Sequence, residues 1–446
     1  MKKIFLKLML LTQLLFLAGS LAAQITELSL AKALQIASTG NRNLQIRLLE
    51  ERKAAEAVKE AKSFLRPTIE LNSSYNVFAE RPVIYLRNEI ASPKVNDVKY
   101  GGSFAFAGAV TASYPLLNPV IKSNIKLAGI NTEIQKQETK NVEEQLVLEI
   151  SQLYLIIIFH KEERKLLEQS LLRNERALKD SRSLFLQGKN LKTDTLSNYI
   201  SVQNLKAGIS ALDNNINVYS EQLKQLMGVE GVVNFIFTDS IESQSLENNY
   251  MITSSGFSVA MDNRKDVKIK SLQIEENKVQ LQVVKASFKP QLALVAQYQV
   301  QSQADNFKFG EYRLPRSSYA GVQLNIPIYS GGRIKNKTTQ SALAIQQNEI
   351  ALAELRNRVQ TELVTYSSNL QEAYNQWEIQ QQNVAAAEIS YSMMNDRYRY
   401  GLGTRLELND AELALTKAKL NNLQAVYNIK IFELHLKKAM GILQLK

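Results

Sequence analysis

Apolar and polar positions alternate with period two in four short stretches of this chain, and with a helical period almost everywhere else. In the first stretch Ile69, Leu71, Tyr75 and Val77 fall on one side and Glu70, Asn72, Ser74 and Asn76 on the other. The second sets Phe104, Phe106, Val110, Ala112 and Tyr114 against Ser103, Ala105, Thr111 and Ser113. The third sets Leu292, Leu294, Ala296 and Tyr298 against Gln291, Gln297 and Gln299, and the fourth Val322, Leu324, Ile326 and Ile328 against Gln323 and Asn325. The alternation predicts strands at about 67–79, 102–117, 290–302 and 318–330. One apolar face and one of small polar residues suits a strand with lipid on one side and water on the other. Tyr75, Phe78, Tyr114, Tyr298, Tyr319 and Tyr329 then suit interfacial girdles. A soluble sheet half-buried on helices alternates in the same way, so the pattern alone leaves both open.

Between the strand pairs the helical period runs for unusual lengths. Residues 122–186 contain no proline and only Gly129, and residues 333–400 contain neither residue type. At about 1.5 Å per residue each reaches roughly 95–100 Å. A single helix of that length leaves its apolar stripe in water. Residues 192–227 and 404–440 therefore read as antiparallel partners, with Leu205, Leu212, Leu223 and Leu226 as coiled-coil seam positions.

The plan is written twice. Gln187-Gly188 and Tyr400-Gly401 end the long helices 213 residues apart, and Leu223, Met227 and Gly228 recur at that spacing as Leu436, Met440 and Gly441. Upstream, Leu65-Arg66-Pro67 matches Phe288-Lys289-Pro290 at a spacing of 223. The first half carries an insertion between its strands, in the polar stretch 80–101 with Pro82 and Pro93. Each half thus reads helix, strand, loop, strand, long helix, turn, helix. Residues 24–228 form the first repeat, with a tip at 187–192, and residues 257–446 the second, with a tip at 400–404. Residues 229–256 join them, and Asp239, Glu242 and Glu247 suggest an exposed equatorial belt.

Composition narrows the class. Residues 1–23 read as a secretory signal peptide: Lys2, Lys3 and Lys7, a mostly apolar run, then Ser20-Leu21-Ala22-Ala23. A membrane anchor is the other reading of that segment. Beyond it the longest apolar run is Leu153 to Phe159, too short to span a bilayer as a helix. The net charge of +11 is spread in both signs along helices, as in Glu50-Glu51-Arg52-Lys53, which marks solvated faces and argues against nucleic acid. The absence of cysteine excludes thiol catalysis, thiolate metal sites and disulfides. His160 and His435 lie far apart, no metal-ligand spacing occurs, and Ser330-Gly331-Gly332-Arg333 lacks the lysine–serine ending of a phosphate loop. No nucleophile–base arrangement stands out, so neither enzyme, cofactor nor metal site is expected.

Four strands per chain leave open sheet edges, which lipid does not tolerate. Copies of the chain must close them. With the tips Phe185-Leu-Gln-Gly188, Lys192-Thr-Asp194 and Tyr398-Arg-Tyr-Gly401-Leu-Gly-Thr-Arg-Leu-Glu407-Leu-Asn-Asp410-Ala411, and the duplicated plan, the chain resembles the TolC-like outer membrane efflux proteins. The resemblance covers roughly Ile25 to Gly441. It implies a mainly helical fold with a small β part. Paired hairpins form a periplasmic α-barrel, and four strands per chain contribute to a transmembrane barrel of twelve in a homotrimer. It implies a bacterial outer-membrane exit duct that extends into the periplasm and serves efflux or type I secretion. The implied partners are a periplasmic adaptor, an inner-membrane transporter and outer-membrane lipid. The rival is a periplasmic coiled-coil adaptor or tether without its own barrel, which predicts solubility without detergent.

The resemblance also points to the inner end of the tunnel as the functional region. Gly188, Gly401 and Gly403 are the expected adaptor-docking tips. Glu407 and Asp410, three residues apart on one helix face, match the acids that line the closed aperture; a solvated helix N-terminus is the other reading. Thr193 and Asp194 match closure partners on the other hairpin, and Tyr398 matches a tyrosine that hydrogen-bonds toward the aspartate. Gly403 stands where a basic closure partner is expected, with Arg405 and Arg399 as the substitutes nearby.

Overall fold

The computed structural model describes residues 25–86, 96–189, 191–231, 233–241 and 254–444. The leader, Glu242 and Glu247 lie outside them. In chain order the elements are β1 (Ile25–Leu28), α1 (Leu30–Gly40), α2 (Arg42–Ser63), β2 (Thr68–Val77), β3 (Val83–Leu86), β4 (Asn96–Lys99), β5 (Phe104–Leu117), α3 (Pro119–Leu186) and α4 (Lys192–Met227). Then come β6 (Asn234–Phe237), α5 (Ser254–Asn263), α6 (Lys265–Ala286), β7 (Gln291–Ala304), a 3-10 turn, β8 (Arg316–Asn325), α7 (Arg333–Arg399) and α8 (Arg405–Ala439). Among the described residues no helix is long and apolar enough to cross a membrane. The chain divides into two compact units.

One unit, Glu50–Lys136 with Lys270–Ala351, holds an antiparallel sheet of order β2-β5-β7-β8. Its register aligns the alternation of all four strands. Leu71 pairs with Val110, Val110 with Tyr298, and Leu294 with Val322, so these share one apolar face. Asn72 pairs with Ala109, Ala109 with Gln299, and Gln299 with Ser317, so the opposite face is small and polar. The apolar side chains Ile69, Leu71, Val322 and Leu324 are exposed within one chain. On the polar face the Gln297 amide donates to Gln299 and the Gln299 amide to Gln301 along β7, and the Tyr319 hydroxyl donates to Gln297 at 2.7 Å. Strand β8 stops at Asn325, short of the expected 330, because Pro327 has no N–H to offer the ladder. The insertion between β2 and β5 contains the hairpin β3–β4. An arginine–aspartate clasp ties it down: Arg81 donates to Asp305 and to the Gly101 carbonyl, both at 3.0 Å, and the Ser103 N–H donates to Asp305.

The other unit, Met1–Leu49 with Gln137–Ile269 and Leu352–Lys446, is built on the hairpins α3–α4 and α7–α8. Its core packs Leu28, Leu44, Ile150, Ile157, Leu223 and Met227 around Tyr154, whose hydroxyl donates to the Leu28 carbonyl at 2.9 Å. A second cluster gathers Val359, Leu363, Leu370, Ile429 and Leu436. The parallel pair β1–β6 anchors the segment between the repeats. The half-buried Asp239 carboxylate accepts from the Leu30 N–H at 2.9 Å and caps α1. The duplication is visible in single bonds. Asn41 donates to the Leu226 carbonyl as Arg264 donates to that of Ala439, at spacings of 223 and 213.

Candidate functional site

Both hairpin tips are built by the same local chemistry. Gly188 (φ 70°) and Gly401 (φ 73°) take the left-handed conformation that only glycine adopts cheaply. Each N–H, and the one after it, turns back to the last helical turn: Gly188 to Phe185 and Lys189 to Leu184, then Gly401 to Tyr398 and Leu402 to Arg397. This is the closure that frees neither terminal carbonyl. Gly403 differs, since a Cβ there would sit 3.3 Å from the Arg397 Cβ and 3.4 Å from Glu407 Oε2, so its lack of a side chain permits close approach. Around the tips stand large exposed apolar residues: Leu186 (84% exposed), Leu191, Tyr400 (80%) and Leu402.

The start of α8 is fixed by a capping box. The Thr404 hydroxyl accepts from the Glu407 N–H at 3.2 Å, and Glu407 Oε2 accepts from the Thr404 N–H at 2.8 Å. That backbone hydrogen bond, with the Thr404 hydroxyl and the nearby Arg397, holds the Glu407 carboxyl below the usual range. Glu407 therefore points back at its own helix. The Arg405 guanidinium lies over the Tyr398 ring at 5.3 Å, and its buried Nε meets no acceptor among the described residues. Of the two arginines named as substitutes, Arg405 is the one that lies over the Tyr398 ring. No hydrogen bond joins Tyr398 to Asp194 within one chain. Asp194, in the first turn of α4, and Asp410 on α8 have no side-chain partner among the described residues, and Thr193 is exposed.

Just above the tips lies a polar cluster that the sequence reading missed. Glu412 on α8 is 5% exposed, and its Oε1 accepts from Arg173 Nε at 3.0 Å, Asn174 Nδ2 at 2.9 Å and the Ser170 hydroxyl at 3.4 Å, all on α3. Thr416 joins through Ser170, and Arg173 also lies over the Tyr391 ring. One turn nearer the tip Asn198, fully buried, donates to Ser181 and accepts from Asn409. These bonds hold hairpin to hairpin. A buried carboxylate with three donors is stable where an unpaired one is not. The signal available in sequence was an acid at a seam position, two residues past Asp410. Its burial depends on α3, which no local pattern reveals. Among the described residues no group of acids and histidines is placed to hold a metal.

Comparison with known proteins agrees with this architecture. Residues 257–442 match the family model of the outer membrane efflux protein. The chain is 20% identical over 321 residues to the outer membrane efflux protein BepC of Brucella suis biovar 1 (strain 1330), covering 72% of this chain and 68% of that protein. It is 29% identical over 128 residues to the outer membrane protein TolC of Escherichia coli (strain K12), 28% of this chain and 25% of that one. Its fold is similar to that of the Neisseria gonorrhoeae MtrE outer membrane channel, solved in its open state, with a TM-score of 0.75 and 16% identity over 94% of this chain and 90% of the other. Residues 257–442 thus resemble the outer membrane efflux proteins in sequence, and nearly the whole chain resembles solved outer membrane channels in fold.

Proposed function

We propose that three copies of the chain form an exit duct that carries substrates from an inner-membrane transporter and a periplasmic adaptor across the outer membrane. The observation that carries this reading is the sheet. It has one apolar face, one polar face, and edge strands β2 and β8 that pair on one side only. In lipid such edges must be closed, and β8 of one copy against β2 of the next closes them with one repeated interface. Three copies supply twelve strands, with the glutamine-rich face lining the lumen.

The tips are then the inner mouth. Asp194 and Asp410 supply unpaired carboxylates to the aperture, with Thr193 beside them, and Glu407 adds its charge from the capping position. The stacked Tyr398–Arg405 pair offers an uncommitted Nε for a closing bond. Gly188, Gly401 and Gly403 shape the docking surface for the adaptor, and the exposed Leu186, Leu191, Tyr400 and Leu402 support that role, because apolar patches in water mark contact sites.

Detergent-extracted protein is expected to have three times the mass of one chain and to give discrete conductance steps in a planar bilayer. A chain that remains in aqueous buffer without detergent, or bilayers that stay silent, overturns the reading.

A further inference from the structure

The polar face of the sheet carries a single kind of charge. Asn72, Ser74 and Asn76 line it on β2, alanines with Thr111 and Ser113 on β5, glutamines with Ala293 and Val295 on β7, and serine, tyrosine and amides on β8. No lysine or arginine stands on that face of the four strands. Glu70 on β2 is its one acid, close to the strand's first residue, Thr68, and therefore at the end of the sheet joined to α2.

Nothing within the chain neutralises this carboxylate. Glu70 is exposed, and its side chain makes no ion pair or hydrogen bond among the described residues. Its row across the sheet runs through Thr111 and Gln297 to Tyr319, and there the Tyr319 hydroxyl is committed to Gln297. A neighbouring copy brings no cation on its β8 either. Strand β2 is an edge, and closure sets β8 of another copy beside it. Sliding that strand by one residue would turn its polar face to the wrong side, so only even steps are allowed. Along the whole of β8 Glu70 then meets Ser317, Tyr319, Gly321, Gln323 or Asn325, and none of them is basic. At the spacing of 223 Glu70 falls on Ala293 of β7, so the duplicated plan supplies the charge once per chain, not twice.

We propose that Glu70 sets the charge selectivity of the barrel: its three copies form a ring of carboxylates in the lumen that passes cationic cargo in preference to anionic cargo. The inference rests on the trimeric reading above. Threefold symmetry places the three carboxylates at one height. Twelve strands about 4.8 Å apart and tilted by about 40° enclose a barrel roughly 24 Å across between backbones. With the glutamates reaching inward, an ion on the axis lies about 7–8 Å from each carboxylate. The Debye length is about 8 Å at 0.15 M and about 3 Å at 1 M, so the ring acts on the axis in physiological salt and is screened in concentrated salt. Acidic rings of this kind favour cations. Glu70 belongs to a different compact unit from Asp194 and Asp410, so its effect is separable from that of the tips. A charge on an edge strand can also serve only to discourage unwanted pairing, and that role leaves conduction untouched.

The test uses the assembled channel in planar bilayers, with Asp194→Asn/Asp410→Asn as the background to lower the charge of the tips. The reversal potential in a potassium chloride gradient near 0.1 M gives the cation-to-anion permeability ratio. Glu70→Gln is expected to lower that ratio about threefold, and Ala293→Glu, which adds a second ring, to raise it. Both differences should vanish near 1 M. Ratios that stay unmoved in conducting trimers overturn the proposal. So does a difference that survives 1 M salt, because it reports an altered bore and not a charge. If Glu70→Gln does not assemble, Ala293→Glu decides alone by the same two readings. A protein that gives neither trimer nor conductance in any form removes the trimeric reading itself, whereas a conducting trimer with an unmoved ratio removes only the role of Glu70.

Discussion

At the scale of single residues, one buried group, Glu412, and one half-buried group, His435, carry more than their neighbours. Glu412 serves three donors from α3 while almost wholly removed from water. Glu412→Ala leaves Arg173 without its carboxylate. Breaking a buried pair costs about 3–5 kcal/mol. Because the Arg173 side chain keeps 30% of its exposure, water recovers part of that, leaving about 1–3 kcal/mol. Glu412→Gln keeps an acceptor and should lose less. Thermal unfolding followed by circular dichroism ranks the three proteins, and equal midpoints would remove Glu412 as the link between hairpins. His435 is the second group. It stacks on Tyr366 at 5.0 Å and faces the Gln152 amide, and burial, helped by the charge of Lys438, pushes its pKa below the ordinary 6.5. A depressed histidine pKa means that the unfolded chain binds the proton more readily. The stability is then full above about pH 6.5 and lost as the pH falls toward the folded value. The midpoint should drop more between pH 7.5 and pH 5.5 in the wild type than in His435→Gln, and parallel losses would show that other groups dominate.

At the scale of elements, the turn glycines separate into two kinds. Gly401 needs its positive φ, so Gly401→Ala forces a left-handed alanine at about 1–2 kcal/mol. Gly403 has no such φ, and Gly403→Ala only crowds Arg397 and Glu407 at 3.3–3.4 Å, which side-chain shifts relieve. The larger loss of thermal stability is therefore expected for Gly401→Ala, and the reverse order would mean that contact at Gly403 matters more than backbone strain at Gly401. This contrast also shows what the sequence made legible. Long helices and alternating strands announce themselves because their periods persist over many residues, and the observed α4 and α7 begin where the pattern placed them. Gly188 and Gly401 were readable as helix ends for the same reason. Strands β1 and β6 were not, because each is four residues long and its partner lies some two hundred residues away. Hairpin β3–β4 was hidden inside a charged, proline-bearing stretch that reads as loop. The roles of Asp239 and Glu412 depend on which distant element approaches them, Leu30 in one case and α3 in the other. The pairing of Arg405 with Tyr398 instead of a cation at Gly403 is likewise set by the geometry of the turn.

At the scale of the whole molecule, the sheet makes a prediction about membrane and lumen that adjacent residues can separate. Leu71 and Asn72 follow one another on β2 and therefore lie on opposite faces, and so do Val322 and Gln323 on β8. If the apolar face meets lipid, a lysine there must carry its charge into hydrocarbon, at a cost of about 2–4 kcal/mol near the midplane and less toward either interface. In the proposed trimer that cost is met three times. Leu71→Lys or Val322→Lys should thus reduce the fraction of protein recovered as membrane-inserted trimer. On the polar face the same charge stays in water, so Asn72→Lys and Gln323→Lys should assemble like the wild type. Their effect appears instead in conduction. The only residue on the polar face of the four paired strands that is charged at neutral pH is Glu70, so three added lysines per channel offset its three negative charges. The reversal potential in a salt gradient should then move toward anions, most clearly at low ionic strength, where the Debye length is about 30 Å at 0.01 M. Counting trimers and measuring reversal potentials on the same four variants gives a two-way test. If Leu71→Lys assembles normally and shifts selectivity while Asn72→Lys fails to insert, the faces are assigned the wrong way round. If all four assemble and conduct alike, the sheet does not form the wall of the channel.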